Sequence, residues 1–254
     1  MTDTYSHYSR TVEYYSRYRP RYPQALIPWL TAECGLAPGH VIADIGSGTG
    51  QMTELFLQHG HPVYAVEPNP DMRRVAENEL AAYPQLTSLD ATAEATAIPD
   101  HCVDLITVGN AFHWFDYART REEFLRILKP GGWVVLAWNL ERASSPFGRA
   151  FEAFWQKHID PNEHFTPASE RKLPAYIAQF FGEGGFKQHS LDNVQVCDFD
   201  ALLGVTLSTL KAPQASEPRF APMAEALQGI FEEFEEAGRV RLEYDTALVW
   251  GRVG

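Results

Sequence analysis

Three glycines and two carboxylates are spaced so that each has a chemical use. Gly46, Gly48 and Gly50 alternate in VIADIGSGTGQ, residues 41–51, and Asp44 stands two positions ahead of the first. A glycine turn between an apolar run and a helix start exposes backbone N–H groups and lets a ligand approach closely, which suits a polar or anionic group. The spacing here is G-x-G-x-G with Gln51 following, not the G-x-G-x-x-G that seats a dinucleotide pyrophosphate. A carboxylate at Asp44 repels phosphate and favours a ligand carrying positive charge. Glu67 closes the next apolar run, PVYAVE, where its two oxygens can accept from a pair of ribose hydroxyls. Further on, His113 sits between Phe112 and Trp114 in NAFHWFD, as a candidate general base or as part of a pocket wall. The wall reading is slightly favoured, because no acid in that loop is obviously placed to orient the imidazole.

The elements around these residues alternate. Val41 to Ile45 reads as a strand, Gly50 to His59 as a helix, PVYAVE as a second buried strand, and Asn69 with Pro70 as the cap and first position of the next helix. Further strands are expected near Leu86 to Leu89, at Val103 to Val108 and at WVVLAW after a KPGG turn, with a helix from Tyr117 to Leu128. Strands separated by helices imply crossover units and a parallel sheet covered on both faces, an α/β doubly wound fold. Beyond Asn139 the pattern turns helical, with aromatic stripes at Phe147, Phe151, Phe154 and Trp155 and at Tyr176, Phe180 and Phe181. Helices are also expected at Asp200 to Leu210 and Met223 to Ala237, a strand near Val194 to Cys197, and a last strand in VRLEYDTALVW.

An adenosine carrying a cationic amino-acid arm satisfies both carboxylates. The segments VIADIGSGTGQ, VYAVEPNPDM, ATAEATAIPDHCVDLITVGNAFHWFD and FLRILKPGGWVVLAWN, in that order, resemble the class I S-adenosylmethionine-dependent methyltransferases over about residues 8–139. YSRYRPRYP and AFHWFD more narrowly resemble the small-molecule group that includes trans-aconitate methyltransferase-like enzymes. The resemblance implies a Rossmann-like sheet of seven strands, only the last antiparallel, and S-adenosylmethionine as cofactor. It implies that Gly46, Ser47, Gly48 and Gly50 line the methionine moiety, Glu67 holds the ribose, Pro68 and Asn69 adjoin the adenine, and Asn110 lies near the methionine arm. Where related enzymes often have an acid for the adenine amino group this chain has Thr92, so the backbone of Ala93 or the side chain of Glu94 is expected to replace it.

The chain of 254 residues, 45% hydrophobic, is expected to form a single domain. Residues 1–23 are read as a lid segment, 24–139 as the cofactor-binding core, 140–182 and 200–237 as helical cap insertions, and 183–199 and 238–254 as the final strands. The leader mixes Tyr14, Tyr15, Tyr18 and Tyr22 with Arg17, Arg19 and Arg21 without a period of its own; Arg19 is the candidate partner for a carboxylate of cofactor or substrate. A net charge of -12 speaks against nucleic acid as partner. The three cysteines match no metal spacing, and no run is long and apolar enough for a membrane, so a cytoplasmic enzyme acting on a small-molecule acceptor is expected. O-methylation of a carboxylate or hydroxyl is the leading reading. The alternatives are C- or N-methylation in a biosynthetic pathway, a non-catalytic S-adenosylmethionine-binding protein, and a nicotinamide oxidoreductase.

Overall fold

Seven strands pair into one sheet. A computed structural model describes residues 11–253; the first ten residues of the leader lie outside the described residues. The strands are β1 (Ile42–Ile45), β2 (Val63–Val66), β3 (Leu86–Leu89), β4 (Val103–Gly109), β5 (Leu128–Glu141), β6 (Phe186–Cys197) and β7 (Val240–Gly251). The helices are α1 (Val12–Tyr18), α2 (Leu26–Cys34), α3 (Gln51–Gln58), α4 (Pro70–Glu79), α5 (Tyr117–Ile127), α6 (Pro146–His158), α7 (Ala175–Phe181), α8 (Phe199–Leu207) and α9 (Phe220–Phe234). The strand order is β3-β2-β1-β4-β5-β7-β6, and β3, β2, β1, β4 and β5 pair in parallel. The order reverses between β1 and β4, so the crevice for a ligand lies beyond the carboxyl ends of those two strands.

The described residues divide into two compact units. One comprises residues 21–138, 172–191 and 246–253; the other comprises 11–20, 139–171 and 192–245. The first is the sheet unit. Its strands alternate between two apolar clusters: Ala43 and Ile45 enter one with Val134 and Phe124, while Ile42 enters the other with Leu55 and Phe56. Asp44 therefore shares a face with Ile42, the face that α3 covers. The second unit is built on Phe147, Phe151, Phe154, Leu202, Met223 and Tyr244, so the aromatic stripes of α6 are packing surface, as their helical period implies.

Three local expectations are corrected. The leader does carry a helix: Val12 and Ser16, one turn apart, are the buried face of α1, and Tyr18 packs where a Cβ on Gly204 of α8 would fall 2.2 Å from its ring. Polar Ser16 at the buried position hid that period. The KPGG segment is continuous with β5 rather than a turn before it, Lys129 and Asp104 forming an ion pair at the start of their strands. Finally, β6 begins at Phe186, eight residues ahead of the expected start, because its mixed face never became apolar enough to read. The folded α1 predicts that trypsin cuts slowly after Arg17 without any ligand; fast cleavage there in the free protein, followed by mass spectrometry, would contradict its packing on α8.

Candidate cofactor site

The glycine turn follows β1 at the switch point. Gly46, Gly48 and Gly50 all have positive φ, between 57° and 86°, which a side chain would strain. A Cβ at Gly46 would lie 2.6 Å from that of Ala111, so the turn and the loop after β4 touch. At Gly50 it would meet Leu80 at 2.7 Å and Ala76 at 3.2 Å, which makes this glycine the seat of α4. Gly48 differs: the one side-chain atom near its would-be Cβ is Met72 Sδ at 3.8 Å, leaving room beside the backbone. Gly46→Ala is expected to cost about 1–3 kcal/mol in chemical denaturation, combining clash and positive φ; an unchanged midpoint would contradict the contact with Ala111.

Glu67 ties the turn to β2. Its Oε2 accepts from Gly48 N at 2.9 Å and its Oε1 from Asn69 N at 2.8 Å, and the residue is 7% exposed. Each carboxylate oxygen thus spends one acceptor position on the backbone and keeps another for a vicinal diol. Burial pushes its carboxyl above the usual range, against the two amides and Arg73. Asn69 is spent as the cap of α4, accepting from Asp71 N and Met72 N, so its side chain fixes the start of that helix beside Pro68.

Asp44 is not at the ligand surface. It is 1% exposed, accepting from Thr53 Oγ1 at 2.6 Å and Thr107 Oγ1 at 3.3 Å. Burial raises its pKa to about 6, partly opposed by the threonine hydroxyls, with Glu67 adding a small rise. Its charge acts as a field from beneath the turn. Thr53 and Thr107 are the partners that sequence reading missed, because they come from α3 and from β4. Thr49, in the turn itself, is buried with no hydrogen-bond partner for its Oγ1.

The remaining candidates divide. Ser47 donates its backbone N–H to Val66 O at 3.1 Å. Ala93 is buried, and Glu94 is half-exposed with Oε1 accepting from Asp116 N at 2.9 Å, so the loops after β3 and β4 are linked through it. Asn110 has φ of 52°, a conformation Asn tolerates better than most residues, and its Nδ2 donates to Tyr22 Oη at 3.1 Å. Tyr22 thereby joins the crevice. Of the rings in NAFHWFD, Phe112 faces away from it: it is fully buried and packs edge-on to Phe180 at 4.8 Å. Phe115 stands over Gly46, while Trp114 is 46% exposed. His113 is exposed beside Trp114, ring centroids 4.9 Å apart, and desolvation by its surroundings holds its imidazole below the ordinary histidine range. Arg19 belongs to the other unit, over the Tyr15 ring at 5.3 Å.

The glycine turn thus lies at the switch point of a parallel doubly wound sheet, with one buried carboxylate at the end of β2 and another beneath the turn. Among known families, a methyltransferase domain matches residues 43–136. An uncharacterized methyltransferase of Mycobacterium tuberculosis, Rv3342, is 41% identical over 125 residues, 49% of each chain. A methyltransferase-like protein of Schizosaccharomyces pombe, C25B8.10, is 30% identical over 186 residues, 73% of this chain and 67% of that one. A solved structure from Anaeromyxobacter dehalogenans, provisionally described as a type II methyltransferase, aligns with a TM-score of 0.67 at 24% identity, covering 92% of this chain and 98% of that one. The chain belongs to the class I S-adenosylmethionine-dependent methyltransferases. It spans about half the length of the mycobacterial relatives it matches. No helix among the described residues is long and apolar enough to cross a membrane.

Proposed function

We propose that this chain transfers the methyl group of S-adenosylmethionine to a small molecule, at a carboxylate or hydroxyl oxygen. Glu67 carries the reading: it braces the glycine turn through Gly48 and retains acceptor capacity on both oxygens for a ribose diol. When bound, the cofactor supplies an electrophilic methyl on a sulfonium. This chain's part is then to hold and to dry. The open backbone at Gly48 receives the methionine arm, Asp44 sets a negative field under it, and Asn110 with Tyr22 borders the arm. Ala93 and Glu94 border the adenine, and Phe115 and Trp114 limit water at the reacting edge. A second reading, transfer to carbon, is supported by similarity to a ubiquinone/menaquinone biosynthesis C-methyltransferase of Hydrogenovibrio crunogenus, 28% identical over 153 residues.

The test is incubation with methyl-tritiated S-adenosylmethionine and a panel of small acids, alcohols and phenols. Label in a base-labile product marks a carboxylate ester, label in a base-stable ether marks a hydroxyl, and label fixed on carbon replaces this proposal with the second reading. His113 has a further consequence. With its pKa lowered it is neutral at pH 7 and free to accept a proton, yet a carboxylate acceptor needs no base. His113→Gln is therefore expected to slow single-turnover transfer by less than about tenfold with the pH profile unchanged. A loss of roughly a hundredfold, with removal of an inflection below pH about 6.5, would make it the base and the acceptor a hydroxyl.

A further inference from the structure

We infer that the sheet unit carries a binding site for a small phosphate-bearing anion at the amino ends of β1, β4 and β5, where Arg252, Lys129 and His40 line one recess. The site is separate from the cofactor crevice and does not depend on the methyltransferase reading.

A break in strand pairing shapes the recess. Val103 pairs with Leu128 and Leu105 with Trp133, so residues 129–132 bulge outward opposite Asp104. The recess beside this bulge measures about 260 Å³. That is far more than the roughly 10–15 Å³ that seats one water, and just under the roughly 300–1,000 Å³ of sites for drug-sized ligands, so it suits a small molecule. A Cβ at Gly131, in the bulge, would meet nothing within 4 Å, which leaves that part of the wall open.

The charge of the recess is the reverse of the chain's. The sequence holds 33 acids against 21 bases, yet Lys129 and Arg252 line this recess with Asp104 as the lone acid among the described residues. Asp104 is already spent, its Oδ2 accepting from Val41 N at 2.8 Å and from Lys129 Nζ at 2.7 Å. Arg252 is not. Its guanidinium carbon lies 4.5 Å from the centre of the Trp133 ring, and it makes no ion pair among the described residues. A guanidinium laid on an indole keeps its in-plane N–H donors for an oxyanion. His40 adds a donor that needs no charge: its Nδ1 accepts from Ala37 N at 3.3 Å, which leaves the neutral ring's proton on Nε2. Cys34, also in the wall, brings no negative charge, because burial pushes its thiol up to about 12. Donors from three separate segments suit a tetrahedral oxyanion, which accepts in several directions, better than a planar carboxylate, which one guanidinium satisfies.

The place in the fold keeps this site apart from the cofactor's. β4 runs from the recess to Asn110 at the crevice, and its seven residues span roughly 20 Å at about 3.3 Å each. A neighbouring recess of about 360 Å³ shares Lys129 and Arg252 but has His101 in place of His40.

The test is calorimetric titration of the intact chain with inorganic phosphate, glycerol 3-phosphate and succinate at constant ionic strength, with and without saturating S-adenosylhomocysteine. Both phosphates are expected to saturate a single site below about 20 mM, the ester more tightly, and succinate to bind at least about tenfold more weakly. Arg252→Gln is expected to weaken glycerol 3-phosphate by at least about tenfold and His40→Ala by at least about threefold, with His101→Ala within about twofold of wild type. Asp104→Asn, which removes the competing acid, is expected to tighten it by about threefold, a change that loss of structure does not mimic. S-adenosylhomocysteine leaves these affinities within about twofold. No saturable phosphate binding up to about 20 mM, equal binding by Arg252→Gln and wild type, or succinate as tight as phosphate would overturn the proposal. A loss in His101→Ala without one in His40→Ala would move the anion to the neighbouring recess, and displacement of phosphate by S-adenosylhomocysteine would move it to the glycine turn; either result overturns it as well.

Discussion

Glu67→Ala is expected to weaken S-adenosylhomocysteine binding by at least tenfold. Hydrogen bonds to a charged acceptor are worth about 1.5–3 kcal/mol each, and the ribose diol would lose up to two. The brace on the turn goes as well, because Gly48 N and Asn69 N both depend on this carboxylate. Glu67→Gln separates the two effects: its amide oxygen still accepts one backbone N–H, while its NH2 turns a donor toward the other. Affinities in the order wild type, Gln, Ala, measured by calorimetry, are expected. Equal affinities for wild type and Ala would remove Glu67 from the site.

Asp44→Asn is expected to reverse the usual effect of pH on a buried acid's contribution. The pKa of Asp44 is raised to about 6 in the folded chain. The folded state therefore binds the proton more tightly than the unfolded state, and Asp44 loses stability as pH rises from about 4 through 6, by about 3 kcal/mol in all. Asn has no charge to bury and keeps one acceptor and one donor for Thr53 and Thr107. Denaturant titrations should thus find the variant gaining on wild type by about that amount between pH 4 and pH 7. The gain in stability has an expected functional cost: removing the buried charge weakens S-adenosylmethionine, which carries a sulfonium, more than S-adenosylhomocysteine, whose sulfur is a neutral thioether. A stability difference that is flat with pH would show Asp44 ionised at an ordinary pKa.

Elements with strong apolar runs were legible in the sequence, and those set by partners were not. Leu86–Leu89 coincides with the expected third strand, and Tyr117–Ile127, started by the Asp116 cap, falls one residue short of the expected helix. The start of β6 was not legible, because its exposed edge mixes Lys187, His189 and Asp192 with Val194 and Val196. The tight glycine turn after β1 and the place of Glu67 just past β2 followed from residue type and spacing. The role of Asp44 did not: residue type predicts a surface charge, whereas two hydroxyls, nine and 63 positions away in sequence, take it into the interior.

Calorimetric titration of the intact chain with S-adenosylmethionine and with NAD is the most direct test of the central claim. A glycine turn spaced G-x-G-x-G over a buried carboxylate predicts saturable binding of S-adenosylmethionine in the micromolar range, with no measurable NAD binding. Micromolar affinity for NAD with none for S-adenosylmethionine would contradict it.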